Sequence, residues 1–228
     1  LVEPGGPGTN PEDSIDVDNT APTVTVLGPV VTNDTTPSLT VLVSESGAVQ
    51  SGIASVQATV GGFTYAGTQT FPGQYQIQVT NALSDGTYNV AAQATDNVGN
   101  VGSDGTTDEL TVDTDAPDVA STNPADGANL QTFTQLSVTF DEAVQGVAQG
   151  DLTVGGGASV TGFTPPGGSP SAGPYVWTFT QPSDGAVTAT LAAGSIQDEA
   201  TNPFGGDSWN FNVDNVAPTI DTLDPAAG

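Results

Sequence analysis

Apolar and polar residues alternate in short runs along most of this chain, and clusters of Gly, Pro, Asn and Asp separate the runs. A period of two residues is typical of β-strands with one buried face, and no segment has the longer period of a helix. The first half predicts seven strands, at residues 23–27, 38–43, 54–60, 63–70, 74–80, 87–95 and 106–112. The second half predicts seven more, at residues 118–122, 134–140, 151–154, 159–164, 175–180, 186–191 and 208–213.

Several predicted strands carry an apolar face that indicates the core. Seven short strands in each half are typical of a constant-type immunoglobulin sandwich. Tyr88 follows the turn SDG at the start of the sixth strand, which predicts a tyrosine corner whose hydroxyl bonds back to nearby backbone. The predicted core residues are Leu39, Val41, Val43, Tyr75, Ile77, Val79, Tyr88, Val90, Ala92, Ala94, Tyr175, Trp177, Phe179, Trp209, Phe211 and Val213.

One six-residue phrase occurs three times, as VDNTAP from Val17, VDTDAP from Val112 and VDNVAP from Val213. The spacing of about 100 residues is the length of one small β-domain. We therefore predict an all-β fold of two tandem immunoglobulin-like β-sandwiches in an extended arrangement, with a C-terminal stub of a third. The predicted parts are residues 1–16 as a linker or tail, 17–112 and 113–213 as domains, and 214–228 as the first strand of a further domain or an intermolecular donor strand.

The composition removes most function classes. The chain has 26 Asp and Glu residues, no Lys, Arg, His, Cys or Met, and a formal net charge of −26. Most enzyme classes lack their usual bases and nucleophiles here, so we predict no catalysis. Nucleic acids and anionic membranes repel such a chain, and no apolar run is long enough for membrane insertion. The self-repulsion of the carboxylates favours a divalent cation held between them.

The sandwich topology gathers the acids into clusters. The loops after the second and sixth strands lie at the end where the chain enters, beside the incoming phrase. Calcium takes six to eight oxygen ligands and suits such sites, so we predict structural calcium at the linkers. The predicted first site contains Asp16, Asp18, Glu45, Asp96, Asn97 and Asn100. The predicted second site contains Asp113 and Asp115 with Asp141 or Glu142 and Asp198, Glu199 or Asn202, while Asp214 and Asn215 would serve a further unit.

Other interpretations of these residues stay open at this point. Asp and Asn most commonly cap turns, which would need no metal. The adjacent acids at 108–109, 141–142 and 198–199 are unsuited to glycoside hydrolysis, because neighbours on a strand point to opposite faces. Trp177, Trp209 or the Pro/Gly-rich loop at residues 164–174 could instead form a sugar- or ligand-binding surface.

Longer stretches resemble known repeats. Residues 83–100 read LSDGTYNVAAQATDNVGN, and they resemble the sixth strand and following loop of bacterial Ig-like (Big) repeats in large surface adhesins and extracellular filaments. A second group of such repeats is similar to LSVTFDEAVQG, GAVTATLAAGSIQDEATNP and VDNVAPT. The resemblance covers nearly all of residues 16–219 and implies architecture more than task. The second unit departs from the family pattern, because it has DEATNP where the family usually has an Asp followed by a Gly-Asn pair.

These features predict a non-catalytic structural module of an extracellular or cell-surface adhesin, stalk or filament, made rigid by calcium at its linkers. Its partners would be neighbouring Ig-like domains or identical subunits. The absence of Lys, Arg, Cys and Met suits exposure to proteases and oxidants outside a cell. One alternative is a self-assembling filament subunit that donates the strand at residues 219–228. The other is a carbohydrate- or ligand-binding module.

Overall fold

The computed structural model describes residues 17–219. Within that range the regular structure is β-strand, apart from one short 3-10 helix. The described chain divides into two compact units, residues 17–30 with 35–111 and residues 31–34 with 112–219. The predicted all-β class is confirmed. Asp16 and the proposed donor segment from residue 220 onward lie outside the described residues.

The first ten strands form two sheets. The larger sheet has the order β1-β3-β6-β5-β4-β8-β9, and the smaller sheet has the order β2-β10-β7. The strands are β1 (Thr23–Val26), β2 (Val30–Thr32), β3 (Ser38–Ser44), β4 (Ile53–Val60), β5 (Phe63–Phe71), β6 (Gln74–Gln78), β7 (Gly86–Tyr88), β8 (Ala91–Asp96), β9 (Val101–Ser103) and β10 (Leu110–Val112).

The predicted sixth strand is in fact two strands. β7 and β8 are separated at residues 89–90, where the backbone N–H of Val90 donates to the Glu109 carboxylate at 2.9 Å instead of to a neighbouring strand. The predicted seventh strand begins only at Leu110. The additional strands β2 and β9 have three residues each, which is too short to show an alternating pattern.

Aliphatic side chains fill the core of the first unit. The predicted core faces of β3, β6 and β8 are buried, as are Val56, Val60 and Leu110. Tyr88 is only half-buried, but its hydroxyl donates to the Ser84 carbonyl at 2.7 Å, which confirms the tyrosine corner.

The second unit is a sandwich of two four-stranded sheets. Their orders are β11-β13-β16-β15 and β12-β18-β17-β14. The strands are β11 (Val119–Asn123), β12 (Asn129–Leu130), β13 (Gln135–Phe140), β14 (Leu152–Val154), β15 (Val160–Thr164), β16 (Tyr175–Phe179), β17 (Gly185–Leu191) and β18 (Asp207–Val213), and the 3-10 helix spans Gln149–Asp151. The two-residue strand β12 was not predicted, and the other seven lie where the pattern placed them.

Aromatic rings dominate the core of the second unit. Trp177 and Trp209 are buried, and Phe133 packs edge-on against Phe179 with ring centroids 4.9 Å apart. The indole N–H of Trp177 donates to the Ala148 carbonyl at 3.3 Å. Because both Trp rings face the core, the sugar-stacking platform considered from the sequence is wrong.

Candidate metal centres

All three copies of the repeated phrase fold into the same turn. In each copy, the Asp carboxylate accepts a hydrogen bond from the backbone N–H two residues later, which is an Asx turn. This turn sets the direction in which the chain approaches the following strand. The donors are Thr20 to Asp18 at 3.1 Å, Asp115 to Asp113 at 3.1 Å, and Val216 to Asp214 at 3.2 Å.

The first acidic cluster consists of Asp18, Glu45 and Asp96. One carboxylate oxygen from each residue lies within 4.8 Å of the others. Asp18 comes from the entering chain, Glu45 follows β3, and Asp96 ends β8. The loops after the second and sixth predicted strands therefore meet the entering phrase, as the topology argument predicted.

Backbone N–H groups hold the carboxylates of the first acidic cluster in place. Ser51 N–H donates to Asp18 Oδ2 at 2.9 Å, and Gly52 N–H lies 3.0 and 3.1 Å from the two oxygens of Glu45. Neither donor could be predicted from the sequence, because both are backbone groups of an irregular loop.

Asn100 joins the first acidic cluster to the entering chain. Its side-chain N–H₂ donates to Asp96 Oδ2 at 2.7 Å and to the Asp18 carbonyl at 3.2 Å. Asn97 instead donates its side-chain amide to the Ser51 carbonyl at 2.7 Å. Both Asn residues thus position the loop through their nitrogens, whereas the predicted calcium site would use their oxygens.

The second acidic cluster consists of Asp113, Glu142 and Asp198, again with carboxylate oxygens within 4.8 Å of one another. Asn202 repeats the role of Asn100. Its side chain donates to Asp198 Oδ2 at 2.7 Å and to the Asp113 carbonyl at 2.8 Å. The unusual DEATNP loop therefore keeps the same Asp-to-Asn bridge to the linker.

Other predicted residues lie outside the two clusters. Asp141 accepts a hydrogen bond from the Asp118 N–H at 2.9 Å, so Glu142 is the member of that pair that reaches the second acidic cluster. Glu199 is exposed while Asp198 is buried, which separates the two carboxylates of that pair. Asp214 and Asn215 are exposed at the far end of the second unit.

Family comparisons match both units. A model described as a bacterial Ig-like domain matches residues 9–114, and a second model with the same description matches residues 113–213. The chain belongs to the bacterial Ig-like domains. The prediction that the chain consists of tandem repeats of this family is confirmed. No curated protein sequence matches the chain.

The solved structures to which the chain is similar include modules of CbhA and a fragment of titin. The fibronectin(III)-like modules of CbhA from Clostridium thermocellum share 14% identity, with 84% of this chain and 94% of that chain covered and a TM-score of 0.38. An I-band fragment of titin shares 8% identity, with 86% and 66% covered and a TM-score of 0.42. Among residues 17–219, no helix has the length and apolarity needed to cross a bilayer.

The two Ig-like units differ at one backbone position beside their clusters. Gly99 has a φ of 98° and Thr201 has a φ of 74°, and each precedes its bridging Asn. A left-handed conformation is strained for a β-branched residue by roughly 1–2 kcal/mol. The first unit avoids that strain with Gly, and the second unit retains it.

Exchanging these residues should move the stabilities of the two units in opposite directions. We expect Gly99→Thr to lower the free energy of unfolding of the first unit by about 1–2 kcal/mol. A Cβ at Gly99 meets nothing within 4 Å, so backbone strain is the expected source of the loss. Thr201→Gly should stabilise the second unit by up to about 1 kcal/mol, since added unfolded-state entropy offsets part of the gain. Calorimetry of the full chain measures both, and a destabilising Thr201→Gly would contradict the prediction.

The carboxyl groups of the two clusters have different pKa shifts. The hydrogen bond from Thr20 N–H lowers the pKa of Asp18. Burial raises the pKa of Asp96, but hydrogen bonds from Asn100, Val98 and Gly99 outweigh it and leave the pKa below its usual value. In the second unit, burial and then the charges of Asp198 and Asp113 raise the pKa of Glu142 to about 7. Asp113 and Asp198 accept hydrogen bonds from N–H groups, whereas no hydrogen bond among the described residues offsets the burial and the nearby charges at Glu142.

Without divalent metal, the second unit should lose stability as pH rises from about 4.5 to 7. The pKa of Glu142 is raised in the folded state from 4.5 to about 7, so the folded state binds more protons in this window and the free energy of unfolding falls with pH. Both Trp residues lie in the second unit, so thermal melts followed by Trp fluorescence in metal-free buffer measure this effect. Glu142→Gln should flatten the dependence, and an equally steep slope in that variant would exclude Glu142 as its source.

Proposed function

We propose that this tandem of bacterial Ig-like domains is a non-catalytic spacer segment of an extracellular adhesin, stalk or filament, and that calcium bound at the two acidic clusters stiffens its linkers. Neighbouring Ig-like domains of the same protein are the partners. The observation that carries the proposal is a constellation of residues that occurs in both units. It consists of a linker Asp, a Glu in the loop after β3 or β13, and a buried Asp that an Asn four residues later bridges to the linker.

The donor chemistry of both clusters fits calcium. Each cluster presents three carboxylates within 4.8 Å, and calcium prefers hard oxygen ligands that are mono- or bidentate. The chain has no Lys, Arg or His, so no side chain of its own can neutralise these charges. Burial and then the charges of Asp198 and Asp113 raise the pKa of Glu142 to about 7, and a cation from solvent would counter both effects. The carbonyl oxygens of Asp18 and Asp113 are occupied by Asn side chains, so water would complete the coordination.

A bound ion at these positions acts on the linker. Each cluster takes one ligand from the phrase that enters the unit and two ligands from loops of the sandwich. Calcium thereby ties the entering chain to the unit at a second point, beside the Asn bridge. A linker fixed at both points has fewer directions available, which stiffens the junction with the preceding unit.

An extracellular location suits the same features. A chain without Lys or Arg gives trypsin-like proteases no cleavage site, and one without Cys or Met lacks the most readily oxidised side chains. Extracellular fluids also supply calcium at the millimolar concentrations that weak modular sites require.

Calorimetric titration of the full chain with calcium tests the binding step. We expect two sites, with Glu45→Gln weakening one and Glu142→Gln weakening the other. Glu199→Gln is the matched control for Glu142→Gln, because it removes one exposed charge beside the second acidic cluster without touching it. Equal effects of Glu142→Gln and Glu199→Gln would show that the calcium is only a diffuse counterion.

A further inference from the structure

The outer face of the larger sheet in the first unit has no charged side chain. Among the described residues, Asp96 is the one acid within the seven strands of this sheet, and it is buried at the end of β8. The outward positions are mostly Thr, Ser, Gln and Ala. Because Asp and, to a lesser degree, Glu are depleted from strands in general, this lack of charge does not by itself indicate a partner.

Two large apolar side chains are exposed on this uncharged face. The register pairs Leu42 with Gln74 and Gln74 with Phe71, so these side chains form one row across β3, β6 and β5. Leu42 is 38% exposed and Phe71 is 66% exposed. The next row on the same face consists of Thr40, Gln76 and Thr68. The face thus presents an apolar row beside a row of uncharged hydrogen-bonding groups.

The sheets of the second unit have no such row. Asp207 is the one acid in its described strands, so they are also almost free of charge. Yet none of the large exposed apolar side chains lies in these strands. Within the described range 17–219, those side chains are Val17, Leu27, Leu42, Phe63, Phe71, Val98, Val101 and Val216. The apolar row is therefore a property of the first unit and not of strand composition in general.

The charge of the chain restricts which partner suits this face. With 26 acidic and no basic side chains, two copies of the chain form no side-chain ion pair and repel each other wherever their acidic loops approach. Contact through the uncharged face places no carboxylate directly opposite another. A basic partner would be drawn to the acidic loops instead. The uncharged face therefore suits a partner that is itself acidic, and a second copy of this chain is such a partner.

We infer that two copies of this chain associate side by side, with the Leu42–Gln74–Phe71 rows of their first units packed against each other. Such a contact is isologous, since the same patch is used on both copies. The Thr and Gln side chains of the next row supply uncharged hydrogen bonds around the apolar contact. None of the residues in the two rows belongs to an acidic cluster, so the association needs no calcium. It gives the chain a lateral partner in addition to the neighbouring domains of its own protein.

Sedimentation velocity of the full chain in excess chelator tests the inference. Raising sodium chloride from about 0.1 M to about 1 M shortens the Debye length from roughly 10 Å to 3 Å. We expect a reversible monomer–dimer equilibrium whose association constant rises with salt, because salt screens the repulsion between the acidic copies and leaves the uncharged contact intact. A chain that stays monomeric at every salt and protein concentration would overturn the inference. The chelator keeps this outcome independent of the proposed calcium binding.

Gln76→Glu and Gln135→Glu are matched variants that locate the contact. Each converts one exposed Gln on the outer face of a sheet into an acid of nearly the same shape, in the first unit at Gln76 and in the second unit at Gln135. Gln76→Glu should weaken association by at least about 10-fold, because like charges then face each other across the contact. Gln135→Glu should leave it nearly unchanged. Equal weakening by the two variants would show dependence on net charge alone and would overturn the inference.

Phe71→Thr tests the apolar row without a change of charge. We expect it to weaken association by about 10-fold or more, since exposed aromatic side chains that become buried in an interface carry much of the binding energy. Phe63→Thr is the control, because Phe63 is also exposed and lies on β5 but outside the row. Circular dichroism melts check that both variants are folded. Association that survives Phe71→Thr, or that both substitutions weaken equally, would overturn the inference.

Discussion

Millimolar calcium should raise the free energy of unfolding of each unit by about 2.7 kcal/mol when its cluster is filled at about a hundred times the dissociation constant. Three carboxylates converge in each unit, and a bound ion would offset their mutual repulsion. Small domains are stable by roughly 5–15 kcal/mol, so this is a large share of the total. Calorimetry of the full chain with calcium and with chelator measures the effect, and Trp fluorescence identifies the second unit, which holds Trp177 and Trp209.

Matched variants separate site binding from charge screening. Glu142→Gln should remove most of the calcium response of the second unit and leave that of the first unit intact, and Glu45→Gln should do the reverse. Glu199→Gln should leave both responses unchanged, because Glu199 is exposed outside the second acidic cluster. Sodium chloride at equal ionic strength controls for screening. An equal gain in sodium and in calcium would contradict specific binding.

Gly102→Ala should destabilise the first unit by on the order of 3 kcal/mol. Gly102 lies in β9, and a Cβ placed there would overlap the carbonyl oxygen of Pro22, the last residue of the first repeated phrase. The contact is with backbone on both sides, so no side chain can rotate away to relieve it. The phrase and β9 would have to separate, which would also disturb the entering chain beside Asp18. Calorimetry measures the loss.

Gly105→Ala is the control for this substitution. Gly105 follows β9 closely in the chain, its φ is not in the left-handed region, and an added Cβ meets nothing within 4 Å. The Gly105→Ala substitution should change the free energy of unfolding of the first unit by less than about 0.5 kcal/mol. Similar losses in the two variants would show that glycine flexibility, and not the close approach to Pro22, accounts for the effect of Gly102→Ala.

Much of the fold follows from alternation along the chain. Leu39, Val41 and Val43 are buried together because a period of two places them on one face of β3. The same reasoning placed Trp177 in the core. Alternation could not show the break between β7 and β8, because that break depends on Glu109, about 20 residues away in sequence, which replaces the neighbouring strand as hydrogen-bond acceptor.

The acidic clusters were predictable because sandwich topology fixes which loops meet. Asp18, Glu45 and Asp96 converge although they are far apart in sequence. The choice of Glu142 over Asp141 could not be predicted, since it depends on Asp141 accepting a hydrogen bond from the Asp118 N–H. The role of Asn100 and Asn202 as bridges was equally hidden, because sequence shows an amide without showing which end faces the carboxylate.

If calcium stiffens the linkers between the Ig-like units, small-angle X-ray scattering of the full chain should detect the change. Profiles are recorded in millimolar calcium and in excess chelator at equal ionic strength, with the Glu45→Gln/Glu142→Gln double variant as the calcium-insensitive control. We expect a rigid, extended particle in calcium and a broader, more flexible distribution in chelator, with the double variant flexible in both. Identical wild-type profiles in calcium and chelator would contradict it.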